Sequence, residues 1–406
     1  MIARRGHAVA ARAHRVDAHI PGARLGDRAT IVARSGGIAA RVSGIDAASA
    51  VLAPLDDAMD VAHGDAVIIE DGSERVVLGA PLIGRAIDGL GRPLDGGAPP
   101  CGARLARDAY ARAPSPSERR RPSQPLWTGV RAIDALLTLA RGMRVGIFGP
   151  PGSGKSWLLD AIARGIEADA VVLTLVGERG GEAQRHLAAV DMRTTVVCAT
   201  SERSPGERLE AAEMALAHAA RLRACGLHVA VIFDSLARYA QAARELALAN
   251  GEAPGRGGYP PSVFARVAGV CELAGATEEG SLTLIATVLS DPGEGTDPLC
   301  EAARSHLDGH LVLSRRRAER GTFPAIDVPA SLSRPMPQIV GREHREAARR
   351  VREVLGRLED GREARELGIV PAEPLEPVLE AFLAQGPETV PPAGTVAALV
   401  DLADRL

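Results

Sequence analysis

The sequence predicts an α/β protein with a central, mainly parallel sheet, preceded by a small β domain and followed by a small helical one. Three patterns indicate this order: short strands broken by turn residues near the N-terminus, apolar strands alternating with helical segments in the middle, and an amphipathic helix after Gly341. Apolar strands that alternate with helices are typical of a parallel sheet covered on both faces. A chain of 406 residues has room for two or three domains.

Residues 1–83 form the first predicted domain. Short apolar stretches, such as 29–33 and 66–69, are separated by turn signals at 35–37 and at Glu70-Asp71-Gly72. This spacing predicts a small β-barrel or sandwich.

Residues 84–340 form the central predicted domain. It opens with Gly- and Pro-rich stretches at 84–102 and 114–125, which predict a connector without regular structure. The run Arg119-Arg120-Arg121 in this connector favours a solvated linker, with anion binding as the alternative. Buried strands follow at 145–148, 171–176, 195–199, 229–233 and 282–288, with a helix at 205–224.

Residues 341–406 form the predicted helical domain. Apolar residues recur at helical spacing from Ala347 to Leu358. A Pro-rich tail and a short helix at 395–406 complete it.

Composition excludes several classes of protein. The net charge of -3 gives no reason to expect a nucleic-acid partner. No apolar run approaches the ~20 residues that span a bilayer, and no apolar core follows the basic N-terminal residues, as a secretory signal would require. The five cysteines are scattered, which is typical of a reducing cytosol and of neither a disulfide framework nor a metal site.

One octapeptide matches the phosphate-binding pattern G-x-x-x-x-G-K-[ST] in full. It follows an apolar strand and precedes a helix predicted from Trp157 to 165, which is the context that the motif requires. Backbone N–H groups would surround phosphate oxygens, Lys155 would reach the β- and γ-phosphates of ATP, and Ser156 would bind Mg²⁺. The alternative is a glycine-rich turn without a ligand. The residues are Gly149, Pro150, Pro151, Gly152, Ser153, Gly154, Lys155 and Ser156.

Lys155 is the only lysine of the chain, and every other basic residue except histidine is arginine. Arginine replaces lysine readily on a surface, but not where a compact ammonium must enter a phosphate cradle. The exception therefore supports the phosphate-binding interpretation.

Two carboxylates follow apolar strands. Asp234 ends the strand at 229–233 and is placed to hold Mg²⁺, although an Asp in this position can also be a helix cap. Glu178 follows the strand at 171–176, where it could polarise an attacking water. A surface salt bridge with the adjacent Arg179 is the alternative.

Together these motifs resemble the rotary-type ATPases, the family of the ATP synthase catalytic subunits and of the flagellar and virulence-type protein-export ATPases. The resemblance extends from about residue 83 to 341, and the blocks at 258–264 and 307–315 look like the export branch. The matching blocks are 84–95, 128–134, 149–156, 177–180, 234–239, 258–264, 307–315, 323–328 and 331–334.

The resemblance implies a RecA-like P-loop core between a β-barrel and a helical C-terminal domain. It implies that Glu178 orients or activates water and that Arg179 contacts the γ-phosphate. Arg334 aligns with the arginine finger that one subunit inserts into its neighbour's site. Phe323 stands where the family often has a tyrosine against adenine, with a buried core Phe as the alternative, and Trp157 joins the nucleotide-binding set.

The resemblance also implies partners and a location. We expect a homo-oligomer, a hexamer, with Mg²⁺-ATP at the subunit interfaces. The expected partners are a stalk protein, a regulator, the export gate and chaperone–substrate complexes. The expected location is the cytoplasm, peripheral at the inner membrane. Basic residues near the N-terminus could contact anionic lipid, or could belong to a disordered end: Arg4, Arg5, Arg12 and Arg15.

The leading interpretation is thus the ATP-hydrolysing motor of a type III secretion system. A flagellar export ATPase would have the same chemistry. A nucleotide-binding ring subunit without turnover is a further alternative, against which the presence of Glu178 argues. It is kept open by Gly181, where the family commonly has arginine, and by Pro335, which restricts the backbone of Arg334.

Overall fold

The computed structural model describes residues 3–46, 49–56, 58–69, 74–188, 190–289, 297–367, 369, 371 and 373–406. The turn predicted at Glu70-Asp71-Gly72 lies outside these residues. No helix within these ranges is long and apolar enough to cross a membrane.

The N-terminal strands close into a barrel, which decides between the barrel and the sandwich. Alternate residues of each strand face inward, as in β3, so that Ile31 and Val67 are fully buried while their chain neighbours are not. Within the described residues the strand order is β1-β2-β5-β4-β3-β6. The strands are β1 (Arg4–Arg12), β2 (Arg15–His19), β3 (Arg28–Ala33), β4 (Gly36–Ile45), β5 (Ala50–Pro54) and β6 (Ala66–Ile69).

The basic residues at the N-terminus belong to this barrel, so the alternative of a disordered basic end is wrong. Arg4, Arg5 and Arg12 lie in β1, which pairs with β2 and β6. Arg15 lies in β2, and its Nε is 2.7 Å from Oδ1 of Asp17. Strand pairing orders these residues although their sequence shows no clear strand pattern.

The predicted connector and the segments next to it contain short strands that the sequence did not predict. These strands are β7 (Arg75–Val77), β8 (Ala86–Ile87), β9 (Arg104–Ala106) and β10 (Pro125–Leu126). Ala86 and Ile87 are fully buried, because β8 pairs with a strand of the central sheet. A two-residue strand has no periodicity of its own, and its partner alone makes it a strand.

The central sheet is mainly parallel, as predicted. Within the described residues its strand order is β19-β18-β12-β17-β15-β13-β14-β8, where β18 and β19 are antiparallel and β16 pairs with β17 beside this path. The strands introduced here are β11 (Leu139–Ala140), β12 (Arg144–Gly149), β13 (Ala170–Val176), β14 (Thr194–Ala199), β15 (His228–Asp234), β16 (Gly275–Ala276), β17 (Ser281–Leu289), β18 (Gly309–Leu313) and β19 (Ile326–Ser333).

The helices lie between these strands and after Gly341. Ser204 caps α4 by accepting a hydrogen bond from the Glu207 N–H, and Pro205 occupies its first turn. The helices are α1 (Arg131–Leu136), α2 (Lys155–Gly165), α3 (Gly180–Ala188), α4 (Pro205–Arg223), α5 (Leu236–Ala249), α6 (Pro261–Leu273), α7 (Pro298–His306), α8 (Arg315–Glu319), α9 (Met336–Ile339), α10 (Arg342–Asp360), α11 (Arg362–Glu366), α12 (Glu376–Leu383) and α13 (Pro392–Asp404).

The chain divides into two compact units. The first comprises Met1–Ala113, Ala170–Cys225 and Phe233–Leu273, and therefore carries the barrel. The second comprises Pro114–Asp169, Gly226–Ile232 and Ala274–Leu406, and carries the phosphate-binding loop and the C-terminal helices. The boundaries 1–83, 84–340 and 341–406 stay a prediction.

Candidate nucleotide site

The phosphate-binding loop joins the end of β12 to α2. This helix begins at Lys155, two residues before the predicted start. Gly152 and Gly154 have φ values of 76° and 83°, a region that side chains with a Cβ rarely adopt. No side chain among the described residues caps α2 at Gly154, and the first-turn N–H groups of a helix favour anions.

The ammonium group of Lys155 lies on the loop itself. Its Nζ donates to the carbonyl oxygens of Gly149 at 2.9 Å and of Pro150 at 2.8 Å. The buried hydroxyl of Ser153 also donates to Pro150, at 2.8 Å. A Cβ at Gly149 would approach Ser153 Oγ to 2.6 Å, so this compact loop requires glycine at that position.

An aromatic wall stands beside the loop. The rings of Trp157 and Phe323 are stacked, with centroids 5.7 Å apart and an angle of 26° between their planes. A Cβ at Gly154 would approach the Phe323 ring to 2.7 Å. Phe323 is partly exposed, so it is not a buried core residue. The two rings and the segment 384–386 line an open cavity of about 470 Å³, which we call the base cavity.

Gln385 connects the two walls of the base cavity, and sequence reasoning did not single it out. Its backbone N–H donates to the Phe323 carbonyl at 2.8 Å. Its Nε2 donates to Gly129 O at 2.9 Å, and its Oε1 accepts from the Arg131 N–H at 2.7 Å. The Arg131 guanidinium in turn donates to Phe382 O at 2.7 Å and Ala384 O at 2.5 Å. A glutamine in a Pro-rich tail carries no motif that could have revealed this role.

Glu178 follows β13 and is 6% exposed. Its Oε1 lies 3.1 Å from Nε of Arg238, so the predicted alternative of a surface pair with Arg179 is not what forms. Burial, together with a hydrogen bond that the protonated Glu178 donates to the Glu182 carboxylate and the nearby charge of Asp234, raises the pKa of Glu178 to about 8, although Arg238 opposes the shift. Glu178 is therefore a carboxylate that can hold a proton near neutral pH.

Asp234 is the last residue of β15 and does not cap the next helix. That role belongs to Ser235, whose hydroxyl accepts from the Arg238 N–H at 3.3 Å. The helix-cap alternative for Asp234 is therefore wrong, and its carboxylate contributes to the field around Glu178.

Arg179 is exposed, and its carbonyl accepts the Glu182 N–H at 2.9 Å at the start of α3. A Cβ at Gly181 would meet no other atom within 4 Å, so the arginine missing there leaves no gap in the packing.

Glu182 and Arg238 complete a cluster with Glu178 and Asp234 that sequence reasoning did not assemble. The i,i+4 spacing of 178 and 182 was the available signal for Glu182, and Arg238 lay within the quoted block at 234–239.

Arg334 lies exposed immediately after β19. Its backbone N–H donates to Asp308 O at 3.2 Å, and Pro335 follows with a φ of -75° at the start of α9. Pro335 is the N-cap of this short helix, and its backbone angles are helical.

The predicted donors are of the type that suits Mg²⁺-ATP. Ser156 in the second unit and Asp234 in the first each carry an oxygen atom of the kind that Mg²⁺ prefers. Among the described residues, no group of three or more His, Cys, Asp or Glu side chains could hold a metal ion by itself.

Comparisons with known proteins agree with this geometry. Residues 129–333 match the ATP synthase alpha/beta family, nucleotide-binding domain. The chain is 44% identical to a type 3 secretion system ATPase of Xanthomonas euvesicatoria over 324 residues, which cover 78% of this chain and 73% of the relative. It is 39% identical to a flagellum-specific ATP synthase of Pseudomonas aeruginosa over 386 residues, 90% and 85% of the two chains.

A solved structure extends the likeness to nearly the whole chain. The assembled ATPase EscN of the enteropathogenic E. coli type III secretion system matches with a TM-score of 0.90 and 34% identity, covering 98% of this chain and 100% of EscN. EscN in complex with its central stalk EscO matches with a TM-score of 0.88. This chain therefore belongs to the ATP synthase alpha/beta family, in the branch of the type III secretion ATPases and flagellum-specific ATP synthases, and is a nucleotide-binding ATPase.

Proposed function

We propose that this chain is the ATP-hydrolysing motor of a type III protein secretion system and works as a homohexamer. The observation that carries the proposal is the environment of Glu178, a buried carboxylate with a raised pKa in a protein that also has a complete phosphate-binding loop. A subunit that only bound nucleotide would have no need of such a proton acceptor.

The loop and the first turn of α2 would hold the phosphates. Lys155 would exchange its two carbonyl partners for β- and γ-phosphate oxygens, and the Trp157–Phe323 wall would stack on adenine. Ser156 and Asp234 would hold Mg²⁺, which neutralises charge on the phosphate oxygens.

Glu178 would orient the attacking water and accept its proton. A carboxylate with a pKa near neutral is a more effective base than an ordinary one. Arg179 would contact the γ-phosphate. The exposed Arg334 would reach the site of a neighbouring copy and neutralise charge that develops during transfer, which makes hydrolysis depend on assembly.

The remaining partners and the location follow from the relatives. EscN has been solved with its stalk EscO, which supports a stalk partner for this chain. A regulator, the export gate and chaperone–substrate complexes, together with a cytoplasmic position at the inner membrane, are proposed from the family resemblance alone. A flagellar role is the second candidate, because the flagellum-specific relative aligns with 90% of the chain.

The test is phosphate release from Mg²⁺-ATP across a series of protein concentrations. We expect specific activity to rise with concentration in the wild type and to be lost in Lys155→Ala, Glu178→Ala and Arg334→Ala. Nucleotide binding should survive in the last two variants. A wild type that binds ATP and shows no turnover at any concentration would contradict the motor and favour a non-catalytic subunit.

A further inference from the structure

A second cavity, of about 610 Å³, lies at the opposite end of the strands from the phosphate-binding loop. His228 and Ser281 are the first residues of β15 and β17, and Arg141 shortly precedes β12, whereas the loop follows the last residue of β12. The charged and titratable residues that line this second cavity are Arg120, Arg121, Arg141, Asp169, His228 and Glu278.

The arginine run of the connector is fixed beside this cavity. The Arg120 N–H donates to Ala276 O at 2.8 Å, and Arg119 Nη1 donates to Ala274 O at 2.8 Å, so the connector lies along β16. The Arg141 N–H donates to Gln124 O at 3.0 Å. The run that favoured a solvated linker is therefore held in place, and the alternative of anion binding gains a structural basis.

Two buried polar atoms at the cavity have no hydrogen-bond partner within the described residues. His228 is 5% exposed, and its Nδ1 lies 2.6 Å from Ser281 Oγ, while its Nε2 has no partner. The buried Nε of Arg141 is also without one. Buried polar groups are almost always paired. When the Ser281 hydroxyl donates to Nδ1 of His228, the ring proton is on Nε2, and both Nε2 and the Arg141 Nε then require an acceptor that the described residues do not supply.

The charged residues that line the second cavity indicate which type of acceptor it favours. The Asp169 carboxylate accepts the backbone N–H of His228 at 2.7 Å, and Glu278 pairs with Arg120. The three arginines that line the cavity outnumber its two carboxylates by one, and this positive excess favours an anion over water. Burial and the charge of Arg141 lower the pKa of His228 to about 4, so its ring is neutral and can donate only through one nitrogen.

We propose that the second cavity binds a small tetrahedral oxyanion of the phosphate class through Arg121, Arg141 and His228. Guanidinium groups match such an anion because their N–H groups bind two oxygens at once. This site is separate from the phosphate-binding loop and does not depend on the proposed ATPase role.

The test is thermal unfolding of the full chain in sodium phosphate, against sodium chloride and sodium acetate of equal ionic strength. Lys155→Ala serves as the background, to weaken phosphate binding at the loop. We expect phosphate to raise the Tm saturably in this background, and the apparent Kd to rise at least tenfold when Arg141→Gln is added. The exposed Arg349→Gln is the matched control and should leave the Kd unchanged.

Three outcomes would overturn the proposal: a phosphate response that disappears with Lys155→Ala, one that Arg141→Gln leaves intact, or an equal response to acetate. If Arg141→Gln fails to fold, Arg121→Gln at the exposed rim provides the same comparison. Tungstate soaked into crystals should give an anomalous peak beside His228, and a peak confined to the loop would contradict the site.

Discussion

Glu178 shows how a residue's chemistry depends on its surroundings. Next to Arg179 in the chain, it could have formed an ordinary surface pair. In the structure it is buried, faces Arg238 and shares its surroundings with Glu182 and Asp234. Burial and like charge raise its pKa, so its ionised form is a stronger base than an ordinary carboxylate.

Glu178→Gln should lower kcat at least ~100-fold, because the amide keeps the shape but cannot accept a proton. The Kd for ATP should stay within about threefold, since the loss concerns only the chemical step. Single-turnover phosphate release and equilibrium nucleotide binding measure the two quantities. Glu319→Gln, in an exposed pair with Arg315, is the control. Comparable loss of binding and turnover would contradict the role of Glu178.

Gln385→Leu should raise KM for ATP about tenfold with little change in kcat. Its side-chain hydrogen bonds to Gly129 and Arg131 hold the segment beside Phe323, and each is worth about 1 kcal/mol. Steady-state kinetics measures the split between KM and kcat. The exposed Gln338→Leu should behave as wild type, and an unchanged KM in Gln385→Leu would remove the positioning role.

Some of the predicted site residues carry a local signal, whereas Arg179, Arg334 and Phe323 were identified only through the family resemblance. Lys155 and Ser156 belong to a contiguous motif, and Asp234 ends an apolar strand. The partners of these residues could not be identified in the same way. Arg238 meets Glu178 from a helix that starts far along the chain, and Gln385 reaches Phe323 from the C-terminal tail. Such pairs are set by tertiary packing, which no local pattern encodes.

Among the elements, α4 stabilises the first unit through charged side chains that are buried and form ion pairs with other elements. Glu210 accepts from Arg41 Nε at 2.5 Å and from Arg107 Nη1 at 2.5 Å, which links α4 to the barrel strand β4. Burial would raise the pKa of Glu210, but the charges of Arg107 and Arg41 outweigh it and hold the pKa below its usual range. The ion pairs thus anchor the barrel to α4.

Glu210→Ala should lower the free energy of unfolding by about 3 kcal/mol, because the buried Arg107 and the half-buried Arg41 each lose one carboxylate partner and keep Glu74. Urea unfolding of the intact chain measures the change. Glu353→Ala, which removes an exposed i,i+4 pair with Arg349, should cost about 0.5 kcal/mol or less. Equal effects of the two substitutions would show that the buried network adds no stability.

His218, also on α4, should make stability depend on pH. Its Nδ1 accepts the Gly79 N–H at 3.2 Å, so the folded state favours the neutral ring, and burial lowers its pKa to about 3. The unfolded chain binds a proton below about pH 6.5 and the folded chain does not, so stability is lost as pH falls from 6.5 towards 3.

Between pH 7 and 5 this histidine alone should cost about 2 kcal/mol of unfolding free energy. Urea unfolding at both pH values, in wild type and His218→Gln, measures the difference, and the variant should be less sensitive to acid. An identical pH dependence in both proteins would contradict the assignment.

The strands that the sequence predicted well are those that are buried along most of their length. Strands β12, β13, β14, β15 and β17 are continuous apolar runs, and each was predicted to within two residues. Strand β8 has two residues, and β18 alternates half-buried with buried positions, so neither carries a run of its own. Their pairing with longer neighbours makes them strands.

At the scale of the whole molecule, the exposed position of Arg334 predicts that ATP hydrolysis requires assembled subunits. Mixing Lys155→Ala subunits, which keep the finger, with Arg334→Ala subunits, which keep the loop, should restore part of the ATPase activity that each lacks alone. A colorimetric phosphate assay of the mixture against each parent measures it. No recovery, despite co-assembly shown by light scattering, would place the arginine's action within its own subunit.

The single lysine makes the chain unusually simple to address with reagents. Apart from the N-terminal amine, an acylating compound has only Lys155 to modify, and an endoproteinase specific for lysine has only the bond after it to cut. Because the Lys155 Nζ rests on the carbonyls of Gly149 and Pro150, its acylation should report whether the loop is open, and bound nucleotide should protect it. Labelling of one side chain would thus read out occupancy of the loop without any engineered tag.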